Sequence, residues 1–219
     1  MKKNNEKFIR KLQTKINTSV VNLPKRLSNF YIQLHIKKGY YDERDSFFGI
    51  AHLIDHYISR LISINFKEKV KLASEVGNYQ LSFYFEIPNK QTKKIKQIKD
   101  LLRFIFNPDF TKNDIFQSEK KAIINEINTK YSKFENEIWQ KILKERFIKN
   151  NIYNRDKKNQ IKNIKKIKLS NIEKYYKEIL SSDDAFILAG EYNPSDKFVA
   201  ELEENIKKYS DFKTPPSSE

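Results

Sequence analysis

The chain has 219 residues, enough for one domain with a sizeable core and too few for two domains of ordinary size plus a linker. It contains no cysteine, which excludes disulfides, thiolate zinc sites and a thiol nucleophile and leaves His and carboxylate as the only strong metal ligands. A formal net charge of +15 would draw nucleic acid, acidic peptide or an anionic membrane surface, and does not choose among them.

The β-branched content between Leu12 and Leu23 favours a strand, and Leu27 to Lys37 alternates, with Phe30, Ile32, Leu34 and Ile36 on one side. Lys25 falls in the turn between them. Gly39 interrupts the pattern, and Ser46 to Ser63 has helical spacing of Phe48, Ala51, Leu53, Ile54, Ile58 and Leu61. Tyr79 to Ile87 alternates most clearly and is closed by Pro88. A helix from Ile95 to Phe106 stops at Asn107-Pro108, and a longer one runs from Thr111 to Phe147 with a break near Ser132. Ser170 and Glu173 have capping-box spacing for a helix to about Leu180. Ala185 to Gly190 is a short apolar strand, and Asn193 with Pro194 opens a last helix to about Tyr209. Strands at both ends of a helical middle predict an α+β fold, a mixed or antiparallel sheet with helices packed on one face. Residues 1–212 are expected to form one unit, followed by a disordered tail over 213–219.

No segment is apolar enough to span a membrane, and Met1 to Leu12 lacks the apolar core of a secretory signal, so the expected location is cytoplasmic. Residues 144–168 are the most basic stretch, but only Phe147 and Tyr153 accompany the charges, too few for the stacking that single-stranded RNA requires.

Chemistry concentrates in His52-Leu53-Ile54-Asp55-His56. Residues four apart on a helix share a face, so two imidazoles can reach one tetrahedral ion, with Asp55 beside them. Such a pair taken alone is more often an accident of surface composition than a site. His35 lies on the polar side of its strand and is given no role. Glu119 and Glu126 are seven apart and return to one helix face after two turns.

H-x-x-D-H differs by one methylene from the H-x-x-E-H of the inverted zinc peptidases. Lys38-Gly39-Tyr40-Tyr41-Asp42-Glu43 followed by Gly49-Ile50-Ala51-His52-Leu53-Ile54-Asp55-His56 resembles the pitrilysin/insulinase family, with its strand-end glycine and acidic residue and its G-x-A-H-x-x-E-H. The likeness continues through Asn107-Pro108-Asp109-Phe110, Glu119-Lys120-Lys121-Ala122-Ile123-Ile124-Asn125-Glu126 and Leu188-Ala189-Gly190-Glu191-Tyr192. It implies a half-domain of that family in which His52, His56 and Glu126 bind Zn2+, Asp55 stands where the general base does, and Glu119 supports the ligands. The interval from His56 to Glu126 is shorter than the family's, which points to a trimmed loop near Asn65 to Gly77.

The resemblance further implies a peptide substrate added as a strand at a sheet edge near Tyr79 to Ile87. A second half, from a homodimer or a companion protein, would supply an Arg and a Tyr to the substrate carbonyl. Three readings stay open: a zinc metalloendopeptidase subunit acting on small peptides, a catalytically degenerate subunit that binds peptide or completes a partner's chamber, and, least favoured, a basic nucleic-acid-binding domain.

Overall fold

Alternating side chains build the centre of the sheet. The computed structural model describes residues 9–25, 27, 29–88, 94–131, 138, 141, 142, 145 and 157–211. In strand β3 (Phe30–Ile36) every second residue is buried, and β5 (Leu81–Ile87) presents Leu81, Phe83, Phe85 and Ile87 to the same side. Their antiparallel register sets Phe30 opposite Ile87 and Ile36 opposite Leu81, which brings both apolar rows onto one face.

Strand β6 (Ala185–Glu191) pairs antiparallel with β3 and parallel with β2 (Asn17–Asn22), which pairs with β1 (Ile9–Leu12). Strand β4 (Lys71–Val76) pairs with β5, giving the order β1-β2-β6-β3-β5-β4. The chain is therefore α+β with a mixed sheet, as its sequence predicts.

Helices α1 (Ile50–Phe66), α2 (Lys94–Phe106), α3 (Asn113–Tyr131), α4 (Lys157–Lys166), α5 (Leu169–Ser181) and α6 (Asp196–Ser210) bury their apolar stripes in one cluster with the inner face of the sheet. Tyr57 and Tyr176 lie deep in that cluster, and their hydroxyls donate to the carbonyls of Asp109 and Ile105, so neither phenol is left unsatisfied. The opposite face carries Tyr31, Gln33, Tyr84 and Leu188, and forms an apolar trough of about 460 Å³. No helix among the described residues is long and apolar enough to cross a membrane.

Several sequence expectations need correction. The strand expected over Leu12 to Leu23 is a hairpin, β1 and β2, and the strands on either side of Lys25 do not pair, because β6 inserts between them. Asn65 to Gly77 holds the end of α1, a 3-10 turn and all of β4. Strand β5, expected at the sheet edge, has β3 and β4 on its two sides, and β4 is the edge.

Helix boundaries move as well. Asp45–Phe47 forms a 3-10 turn, and α1 starts only after Gly49, whose φ of 99° is left-handed. Ser170 does not open α5, which begins at Leu169 with the Lys168 N–H donating to Asn171 Oδ1. Ser195, not Asn193, caps α6, its hydroxyl accepting from the Phe198 N–H. Residues 132–137, which include the expected helix break, lie outside the described residues, as do 213–219 and much of the basic stretch.

Candidate metal centre

Helix α1 has two faces with different tasks. Leu53, Ile54, Tyr57, Ile58, Leu61 and Ile62 are buried against the core, while His52, Asp55, His56 and Ser59 form a polar stripe at i, i+3, i+4 and i+7. The start of the helix is held by Glu43, a buried carboxylate that accepts the N–H groups of Gly49 at 2.7 Å and Ala51 at 2.8 Å. These would otherwise be orphan donors at the positive end of the helix dipole. Gly39 supports this approach from below, because a Cβ there would stand 2.4 Å from the Gly77 carbonyl oxygen and 2.5 Å from the Gln80 nitrogen. Glu43→Ala is expected to lower stability by about 1–3 kcal/mol, read from the urea midpoint, since it strands two buried donors. Glu43→Gln, which keeps one acceptor oxygen, should lose less.

Helix α3 crosses α1 with Phe116, Ile123 and Ile127 buried. Its entry is set by Asp109, whose carboxylate accepts from the Thr111 backbone N–H at 2.9 Å and from its hydroxyl, bonds that hold the Asp109 carboxyl below the usual range. Tyr57 stacks on Phe110, 5.7 Å between ring centroids, and locks α1 to that turn. Farther along, the Lys120 ammonium lies over the Phe116 ring and donates at 2.8 Å to the carbonyls of Lys165 and Ile167 at the end of α4. A cation at a helix C-terminus satisfies carbonyls that have no partner within the helix. Helix α3 thus packs against both α1 and α4.

The stripe meets Glu119 and Glu126 there. One ligand atom each from His52, His56 and Glu126 lies within 4.8 Å of the others. His52 Nε2 and His56 Nε2 are each 3.4 Å from Glu126 Oε2, longer than a good hydrogen bond. Metal bonds of about 2.0–2.1 Å in a tetrahedron give ligand separations of about 3.3–3.4 Å, so the spacing suits a zinc-sized ion. His56 Nδ1 is 3.2 Å from Glu119 Oε2 and donates its proton there, which leaves the Nε2 lone pair for a cation. The donor set, two imidazoles and a carboxylate with one position open, fits Zn2+. Glu119 is 15% exposed and Glu126 is 51% exposed, in keeping with an orienting role for the first and an accessible ligand position for the second.

Asp55 is the fourth polar member of the stripe. Burial pushes its carboxyl above the usual range, while hydrogen bonds from Ser74 and Ser59 and the neighbouring His56 work the other way. All five residues singled out from sequence therefore meet in one region between α1 and α3. Sequence reasoning missed Ser59, Ser74, Lys120 and the capping role of Glu43. Glu43 precedes Gly49 by six residues, a spacing that matches no short capping signature.

No protein-family model matches the chain, and no curated protein matches it. Solved structures do match along nearly its whole length. An M16-like peptidase from Alicyclobacillus acidocaldarius is 16% identical at a TM-score of 0.72, covering 98% of this chain and 52% of that one. The fold is that of M16 peptidase domains. Pitrilysin superposes with a TM-score of 0.68 at 15% identity over 96% of this chain. The first half of the periplasmic protease PqqL of Escherichia coli gives 0.67 at 13% identity over 95%.

This chain spans 52% of the Alicyclobacillus structure, 47% of the PqqL first half and 23% of pitrilysin. The likeness to the M16 structures is one of fold, at 11–16% identity.

Proposed function

We propose that this chain is the zinc-binding module of a metallopeptidase that hydrolyses small peptides, with the rest of its chamber supplied by a second copy or by a companion protein. The convergence of His52, His56 and Glu126 on a fold shared with M16 peptidases carries the proposal. Bound zinc would polarise the scissile carbonyl and acidify the attacking water. Asp55 accepts the proton of that water and passes it to the leaving amine, and Glu119 holds the His56 ring in the tautomer that leaves Nε2 free to ligate.

The substrate lies extended along β4, whose outer edge has no neighbouring strand among the described residues. Backbone pairing with that edge selects for an extended chain more than for particular side chains. It also sets the peptide beside Asp55, because α1 packs against β4. A partner then supplies the Arg and Tyr that the substrate carbonyl lacks here.

A second reading follows from Asp55 itself, whose carboxylate is one methylene shorter than the family's base. A displacement of about 1 Å can cost about 100-fold in rate, and a module so impaired would bind zinc or peptide and complete a partner's chamber without cutting. The third reading, nucleic-acid binding, rests on net charge alone and predicts a steep salt dependence with indifference to chelators.

The test is metal analysis of the full chain purified with its native companions, paired with cleavage of a mixed-sequence library of quenched fluorescent decapeptides. One zinc per chain is expected, with cleavage that phenanthroline stops and zinc restores. A chain that emerges without metal and takes none up would overturn both zinc-dependent readings.

A further inference from the structure

Strand β4 places an exposed serine on the side that meets α1. Leu72, Ser74 and Val76 pair with Phe85, Phe83 and Leu81, all core residues, so Ser74 occupies an inward position on the edge strand. Its hydroxyl is 3.1 Å from that of Ser59, one turn beyond Asp55 on α1, and Ser59 Oγ is 3.5 Å from Asp55 Oδ1. Three oxygen-bearing groups thus bridge the helix that carries the histidines and the strand that ends the sheet. Ser74 is exposed and Ser59 half-buried. A hydroxyl pair there serves the carboxylate.

Resting on the peptidase reading above, we propose that Ser74, acting through Ser59, is the positioning residue for Asp55, and that an extended peptide pairing with β4 sets the base through that relay. Among the described residues β4 pairs with β5 on one side only, with α1 packed on its inner face. Adding a strand to its outer edge fixes β4, hence the Ser74 hydroxyl, hence the orientation of the carboxylate toward the peptide. The pull from β4 compensates for the missing methylene by turning Asp55 to the side on which the substrate lies. Specificity for extended substrates is then partly catalytic, because only a paired peptide places the base.

The experiment compares wild type, Ser74→Ala, Ser74→Thr and Ser59→Ala as zinc-loaded full chains with their companion, using one decapeptide selected from the library. Ser74→Ala is expected to lower kcat by roughly 10–100-fold with KM and zinc content unchanged. Ser74→Thr, which keeps the hydroxyl, should recover most of the rate, and Ser59→Ala, which breaks the same relay next to Asp55, should lose at least as much as Ser74→Ala. Equal kcat in wild type and Ser74→Ala, or a loss that appears only in KM, would overturn the inference while leaving the peptidase reading intact.

A second readout needs no turnover. With the carboxyl carbon of Asp55 isotopically labelled, its NMR resonance should move when a reduced-amide analogue of the decapeptide binds to wild type, and should stay in place for Ser74→Ala. A wild-type resonance that ignores the bound analogue rejects the coupling even if no peptide is ever cut. Absence of cleavage with the coupling present counts against the peptidase reading instead.

Discussion

Glu126→Gln is expected to strip the protein of zinc. His52 Nε2 and His56 Nε2 both face Glu126 Oε2 at 3.4 Å, a spacing that a bound cation would stabilise. Glutamine keeps the shape but loses the charge, so affinity should fall by more than about 100-fold, and dialysed protein should retain little metal by elemental analysis. Half-exposed Glu126 contributes little to packing, so the variant should remain folded, with a circular dichroism spectrum like that of the metal-free wild type. Glu119→Gln should weaken binding less, by about 10–100-fold, because it acts through the orientation of His56. Full zinc occupancy in Glu126→Gln would refute the ligand set outright.

Asp55→Asn should leave zinc in place and remove the reaction. Loss of a general base costs about 10²- to 10⁴-fold in kcat, and asparagine, of nearly the same size, disturbs neither imidazole. Its effect separates the two zinc-dependent readings when set beside Asp55→Glu. If wild type cleaves, Asn abolishes the activity, and Glu changes it in either direction by altering reach. In a degenerate subunit wild type is silent, and Glu creates cleavage where there was none. Wild-type cleavage that survives Asp55→Asn undiminished would remove Asp55 from the chemistry.

Legibility differed between elements for physical reasons. Strand β5 and the inner row of β3 were plain because a half-buried strand writes its two faces into alternate residues. Strand β4 was not, since an edge strand largely exposed on both faces has no such constraint, and Lys71, Ala73 and Glu75 read as loop. The misplaced substrate edge followed from that omission, because without β4 the strand Leu81–Ile87 looks terminal. The caps of α5 and α6 shifted by a residue or two, as expected where several Ser, Asn and Lys compete for the same orphan groups. The insertion of β6 between β2 and β3 could not be read at all, since strand order depends on how the helical middle of the chain folds back over the sheet.

What the amino-acid sequence determined by itself was a local matter. It put two imidazoles and a carboxylate on one helix face and two more carboxylates on another, because side-chain direction in a helix follows from spacing alone. Tertiary structure alone decided that Glu126 meets both histidines while Glu119 meets only His56, and that the stripe ends against an edge strand through Ser74. Those relations join residues far apart in the chain, and they depend on the packing of α1 against α3 and β4, which no local pattern encodes.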